Sequence, residues 1–277
     1  MQKFLIHLLL LVTIQASVLA QDKKPDAAGK ETPSEIKLEK KLNKRLYSPT
    51  QFGHESILFV KQPTKWKGGD WLKVGIVTAA SIAVMPFDER IVASGQGTQR
   101  FTGLANIGTL YGEWYSIVGV AGAFGVYGLI AKDTTSKKVA IELLQAGLYS
   151  ELIAVTLKVI VGRARPQAEV GAFVYHPFNL DYNFQSMPSG HTTSAFALST
   201  VMSRQAKTTF LKILAYFPAG LTMFARIYQD KHWLSDEILG AAIGYAVGNW
   251  VVDLHEGKRH RINVTSVAPL GFSYTFR

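Results

Sequence analysis

The chain has 277 residues, with 30 Lys and Arg against 20 Asp and Glu, no Cys, and 48% apolar residues. That composition can bury a core, and the missing cysteines exclude a disulfide scaffold, a thiolate metal site and a cysteine nucleophile. The formal charge of +10 is a property of the flanks: residues 71–253 carry 14 basic and 12 acidic side chains, 21–70 carry 11 and 7, and 254–277 carry 4 and 1. No nucleic-acid partner is expected from such a distribution.

In chain order, residues 1–20 read as a signal peptide. Lys3 precedes an apolar centre at Leu8–Ile14, and Val18 and Ala20 suit cleavage before Gln21. The apolar run is short of the roughly 20 residues a membrane span needs. The mature protein is therefore expected outside the cytoplasm, in a bacterial periplasm or on the periplasmic face of a membrane. Residues 21–70 read as a charged tether broken by Pro25, Pro33 and Pro49, with one short helix at Ser34–Leu46.

From Trp71 to Asp253 long apolar segments alternate with short polar ones. Their length and Ala, Leu and Ile content predict helices over 71–86, 114–131, 137–161, 191–204, 209–226 and 236–253, an all-α bundle of six. Asp88, Gly95, Gly97 and Gly103 predict a loop with a short helical insert over 88–113. Pro166, Pro177 and Pro188 make 163–190 a long irregular connection, of the kind that usually carries function. Residues 254–277 form a basic tail, in which Val264–Arg277 suits a short strand or hairpin.

Two signals about the membrane conflict. Uncharged runs of 14, 18, 13 and 15 residues (after Lys73, Glu113, Lys212 and Glu237) are short for spans. In an up-and-down bundle, Lys132, Lys137, Lys138, Arg204, Lys207 and Lys212 fall on one side, which is a positive-inside pattern. A cleaved leader and six full spans give the opposite orientation. The expectation is an exported bundle that associates with a membrane in a manner the sequence leaves open.

Three clusters carry chemistry. Lys158 and Arg165 lie two helical turns apart, just before Pro166, which favours ending the helix at Arg165. Two cations at a helix end suit an anion, and they equally suit the helix dipole. Next, Pro188, Ser189, Gly190 and His191 open an apolar helix. Free N–H groups there can cradle a phosphate, and a His can protonate a leaving oxygen; an ordinary N-cap reads the same way. Finally, His232 and Asp236 stand at i and i+4, where a carboxylate on one imidazole nitrogen leaves the other as a nucleophile; a capping pair has the same spacing. Arg226 precedes His232 by about 600° of helical rotation, so the chain must bend between them if both serve one site.

Taken together and in this order, the clusters resemble the type 2 phosphatidic acid phosphatase superfamily, which includes bacterial class A acid phosphatases and vanadium haloperoxidases. The likeness spans about residues 158–236 at motif level, with no departure from the pattern. It implies His232 as nucleophile through a phosphohistidine, Asp236 as its orienting carboxylate, and His191 as acid and then base. Lys158, Arg165, Ser189, Gly190 and Arg226 would hold the phosphate, with no metal and no cofactor, because three cations supply the charge that Mg²⁺ supplies elsewhere.

The implied substrate is a lipid-linked phosphate of the cell envelope: a phosphatidyl phosphate, a polyprenyl pyrophosphate or the phosphorylated glucosamine of lipid A. The alternatives are a broad periplasmic acid phosphatase acting on soluble monoesters, a vanadate-dependent haloperoxidase, and a noncatalytic lipid-binding scaffold. No protein partner is implied. Arg163 reads as a surface residue, Glu151 as a buried partner or face residue, Trp233 as packing, and His54, His176, His255 and His260 as bystanders.

Overall fold

The computed structural model describes residues 48–95 and 99–257; the leader, the Ser34–Leu46 helix and the Val264–Arg277 tail lie outside them. Helix α1 (Pro49–Val60) is capped by Ser48, whose hydroxyl accepts from the Gln51 amide, with Pro49 at the first helical position. The sequence placed this segment in a solvated tether. It is instead held to the bundle: Phe59 stacks on Tyr149 at 4.4 Å and meets Trp250 edge-on, and Glu55 accepts from Gln145 at 2.6 Å. His255, expected to be a bystander, lies 3.3 Å from Glu55.

The remaining helices are α2 (Gly68–Val84), α3 (Asp88–Gly95), α4 (Thr102–Gly112), α5 (Trp114–Ile130), α6 (Thr134–Val161), α7 (Gly190–Gln205), α8 (Thr209–Leu214), α9 (Phe217–Tyr228) and α10 (Leu234–His255). Among the described residues the fold is all-α, with a lone antiparallel bridge between Arg163 and Tyr175. Five predicted bundle helices correspond to α2, α5, α6, α7 and α10. The sixth, 209–226, is broken into α8 and α9, because Pro218 starts a new helix rather than continuing the old one. The predicted loop over 88–113 holds two helices, α3 and α4.

Ile117, Leu143, Leu198, Val201 and Val251 centre the core between α5, α6, α7 and α10. Along α10, Gly240, Gly244 and Gly248 recur every four residues and so form one stripe facing α7. A Cβ at Gly244 would lie 2.2 Å from the Thr193 carbonyl oxygen, and one at Gly240 2.6 Å from that of Ser189. The backbones of the two helices are in direct contact at this seam.

The bundle has two unlike ends. Lys158 at the end of α6, His191 at the start of α7, Arg226 near the end of α9 and Asp236 at the start of α10 share one end. Ser81, late in α2, joins them by donating to the Ser235 carbonyl at 2.8 Å. The opposite end, where α6 begins and α7 finishes, carries Lys132, Lys137, Lys138, Arg204 and Lys207, and α1 packs towards it.

Three helical stretches are long and apolar enough to cross a membrane: Gly68–Gly95 and Thr134–Val161, each of 28 residues, and Thr209–Tyr228. The α4–α5 pair, bent by 63°, makes a fourth. Twenty-eight helical residues extend about 42 Å, ample for a hydrocarbon core of about 30 Å. Outward faces carry Trp71, Ile76, Ile82, Val126, Leu129, Leu148 and Val155, all exposed, in an amount unlike a water-facing surface.

Candidate active site

The irregular connection 163–190 and the α9–α10 turn fold over one end of the bundle and bring the three clusters together. Helix α6 stops at Val161 because Gly162 adopts φ +61, and a Cβ there would lie 1.9 Å from the His176 carbonyl oxygen; only glycine fits. Lys158 and Arg165 therefore do not lie on one continuous helix face. They still converge. Lys158 Nζ donates to the Gln185 carbonyl at 2.8 Å, and Arg165 Nη2 donates to the same oxygen at 3.0 Å.

Arg165 is also fixed by the Tyr182 carbonyl (2.9 Å), the Lys231 carbonyl (3.0 Å) and the Tyr182 ring, 3.9 Å below its guanidinium carbon. Its Nη1 donates to His232 Nε2 at 3.1 Å. Arginine can only donate, so Nε2 carries the lone pair and the ring proton sits on Nδ1. The bend required between Arg226 and His232 is present. Helix α9 ends at Tyr228, Asp230 takes φ +55, and the His232 amide returns to the Arg226 carbonyl at 3.3 Å.

His232 is fully enclosed, 1% exposed. Burial lowers its pKa well below the ordinary histidine value, and the charges of Lys158, Arg165 and Arg226 push the same way. The ring is thus neutral at pH 7. Its Nδ1 faces Asp236 Oδ2 at 3.7 Å, oriented for an electrostatic contact but beyond hydrogen-bond length. The carboxylate is held elsewhere: Oδ2 accepts from Ser186 Oγ at 2.5 Å and the Trp233 amide at 3.0 Å, and Oδ1 from Arg163 Nη1 at 2.7 Å.

Ser189 caps α7 through its hydroxyl, which accepts from the Thr192 amide, and its own amide donates to the Asp236 carbonyl at 3.1 Å. An ideal Cβ at Gly190 would stand 3.6 Å from Lys158 Cε and 3.0 Å from Glu151 Oε1, so Gly190 backs directly onto the lysine. Glu151 is a close neighbour of the site and accepts from Ser194 Oγ at 3.3 Å. His191 Nε2 lies 3.0 Å from Glu113 Oε1. Burial, with Arg226 adding, pushes its pKa down to about 4 against the raising effect of Glu113. All eight residues singled out in the sequence thus meet at one end of the bundle.

Several neighbours were not foreseen. Arg163, read as a surface residue, is 0% exposed and spans Asp236, Ser235 and Asp88, the last at 2.8 Å. Trp233 does pack, and its indole N–H donates to the Ala164 carbonyl at 2.7 Å. Glu237 is buried and accepts from the Thr192 hydroxyl. Asp88, Glu113 and Glu237 have no local signature in the sequence, because their partners are distant along the chain.

Residues 140–259 match the family model described as PAP2 superfamily. That segment holds every one of the eight. Over those 120 of its 277 residues the chain is similar to the PAP2 superfamily. Among curated proteins it is 38% identical over 74 residues to the lipid A 1-phosphatase of Porphyromonas gingivalis, covering 25% of this chain and 17% of that protein. It is 27% identical over 201 residues to the lipid A 1-phosphatase of Rhizobium etli, covering 66% of this chain and 82% of that one. To the lipid A 4′-phosphatase of Porphyromonas gingivalis it is 27% identical over 128 residues, 43% and 51% of the respective chains.

The helical fold is also seen in a solved structure. A transmembrane PAP2-type phosphatidylglycerolphosphate phosphatase from Bacillus subtilis superposes with a TM-score of 0.53 at 22% identity, over 69% of this chain and 96% of that one.

Proposed function

We propose that this protein is a membrane phosphatase of the PAP2 type that hydrolyses a phosphate monoester on an envelope lipid, with lipid A the leading substrate class. The observation that carries this reading is the state of His232: a buried, neutral imidazole whose unprotonated Nε2 faces Arg165, with Lys158 and Arg226 close by and a fixed carboxylate behind. A tetrahedral dianion is the ligand such a site suits.

In the proposed reaction His232 Nε2 attacks phosphorus, the N–P bond forms and the P–O bond to the alcohol breaks. His191 gives its proton to the departing oxygen. Asp236 stabilises the positive charge that the attacking ring acquires. Water then attacks the phosphohistidine, His191 takes the water proton, and inorganic phosphate leaves with His232 restored. Lys158, Arg165, Arg226, Ser189 and the Gly190 amide hold the equatorial oxygens, where charge is spread in phosphoryl transfer.

Three observations support a lipid substrate. The flanking helices have bilayer length, and Phe173, Phe178, Leu180 and Tyr182 stand exposed on the connection that covers the site. Relatives from two organisms are named as lipid A phosphatases. The basic end of the bundle then lies in the cytoplasm and the site opens on the outer side. The deciding assay uses the full chain in detergent or lipid discs, with phosphate release from lipid A, phosphatidic acid and a soluble hexose phosphate. Lipid A should be turned over best. Equal or faster turnover of the soluble ester would select the acid-phosphatase alternative, and loss of activity without a trapped phosphoenzyme in His232→Ala tests the nucleophile.

A further inference from the structure

Between α4 and α5 the chain breaks at Glu113, which takes an extended conformation (φ −70°, ψ 144°) and turns one helix axis into the next by 63°. The break is pressed against the start of α7. A Cβ on Gly112 would lie 2.8 Å from the His191 carbonyl oxygen and 3.0 Å from His191 Cβ, so no residue larger than glycine lets the junction sit here. Thr222 on α9 holds it from behind by donating to the Gly108 carbonyl at 2.7 Å. The outcome is a carboxylate delivered to His191, with Glu113 Oε1 at 3.0 Å from Nε2.

As the N-cap of α5, Glu113 makes no capping bond with its side chain. A Ser, Asp or Asn would be the ordinary choice at such a position. The carboxylate is spent on the imidazole instead. Among the described residues His191 Nδ1 has no protein partner, so with Nε2 engaged the other nitrogen is left to face a substrate.

Resting on the reading of His191 as the acid, we propose that Glu113 is a positioning residue for it: the carboxylate orients the imidazole through Nε2 and favours the protonated form that delivers a proton to the leaving alcohol. The site then contains two carboxylate–imidazole pairs with opposite tasks. Asp236 stands behind the ring that attacks, and Glu113 stands behind the ring that protonates. The difference in surroundings fits the tasks, since His232 is sealed while His191 and Glu113 are each about a quarter exposed and can meet a substrate and a water. Electrostatically the two influences on His191 oppose each other. Burial and Arg226 expel the proton, and Glu113 retains it.

The test compares kcat/KM for an alkyl phosphate, whose alkoxide needs a proton to leave, with kcat/KM for p-nitrophenyl phosphate, whose phenolate does not. This parameter reports steps up to phosphoenzyme formation and is untouched by the later hydrolysis common to both. Glu113→Gln should lower the alkyl value by about tenfold or more while the aryl value stays within about twofold, and Glu113→Asp should recover part of the loss. An equal loss on both esters, or no loss on the alkyl ester, overturns the proposal.

His191→Ala is run beside it. If that variant shows the same bias towards the aryl ester and Glu113→Gln does not, the inference about Glu113 fails alone. If His191→Ala loses both esters equally, the reading of His191 fails first.

Discussion

Arg163 Nη1 donates to Asp236 Oδ1 at 2.7 Å in a fully enclosed position, and Nη2 of the same guanidinium donates to Asp88 Oδ2 at 2.8 Å. One planar cation thus joins the start of α3 to the carboxylate behind the candidate nucleophile. Both acids are buried, so either would be a costly lone charge without it. Arg163→Met should destabilise the protein by about 3–5 kcal/mol, the range for breaking a buried pair from one side. Thermal unfolding in detergent measures this. Arg163→Lys, which cannot span two carboxylates in a plane, should recover only part of the loss.

The glycine seam makes a second, purely steric prediction. Gly244→Ala places a methyl group 2.2 Å from a backbone oxygen of α7, which neither helix can relieve by rotating a side chain. An overpacking cost of about 1–3 kcal/mol is expected. Gly122→Ala on α5, where nothing lies within 4 Å, is the control and should leave the melting temperature unchanged.

The histidines set the pH dependence. In the proposed reaction His191 gives up a proton only when protonated, and burial with Arg226 pushes its pKa down to about 4. Above that value the protonated fraction falls about tenfold per pH unit, so kcat/KM on an alkyl phosphate should fall as pH rises through about 5 to 7, once the substrate's own ionisation near pH 6 is allowed for. His191→Ala should flatten that limb. His232 imposes no acid limb in the same interval, because its own pKa lies well below 6.5. A profile that climbs with pH across this range would remove His191 as the acid.

Orientation is open to a direct measurement because the chain has no cysteine. A single Cys at Leu180, exposed at the site end, and another at Lys207, exposed at the basic end, can be labelled in intact spheroplasts with an impermeant maleimide. The loop charges predict labelling of Leu180→Cys alone, with Lys207→Cys reacting only after permeabilisation. The reverse pattern would favour the leader reading. Helix α1 packs towards the basic end, and a chain emerging outside after leader removal would place that end there.

What could be read from the sequence divides along the range of the contacts. Lys158, Arg165, His191, Arg226, His232 and Asp236 were legible because each sits in a short motif whose chemistry has a local reading. Arg163 was misjudged because its partner Asp88 lies 75 positions earlier, and no periodicity marks such a pair. Glu113, 78 positions from His191, was invisible for the same reason.

Helix lengths suffered from a related cause. Counting uncharged residues bounded the first candidate span at Lys73 and Asp88, yet Gly68–Gly95 passes through both. Asp88 is neutralised by Arg163 and Lys73 pairs with Asp70 at 3.5 Å near the helix start. In α6 the interior charges are treated alike: Glu142 is buried beside Lys138, and Lys158 is turned into the site. Charge ended the predicted spans, while pairing lets the real helices continue. The break at Ala215–Tyr216 and the folding of α1 onto Tyr149 depend on packing partners that composition does not reveal.

The contact between α7 and α10 bears on how such a protein can diverge. His191 opens one of these helices and Asp236 the other, and bare backbone joins them along three turns. The candidate catalytic residues at the two helix starts are therefore cast as a single piece with no adjustable joint. Selection for a new headgroup would act on the connection bearing Phe178, Leu180 and Tyr182 and on the Glu113 elbow, leaving the anvil untouched while the mouth is recut.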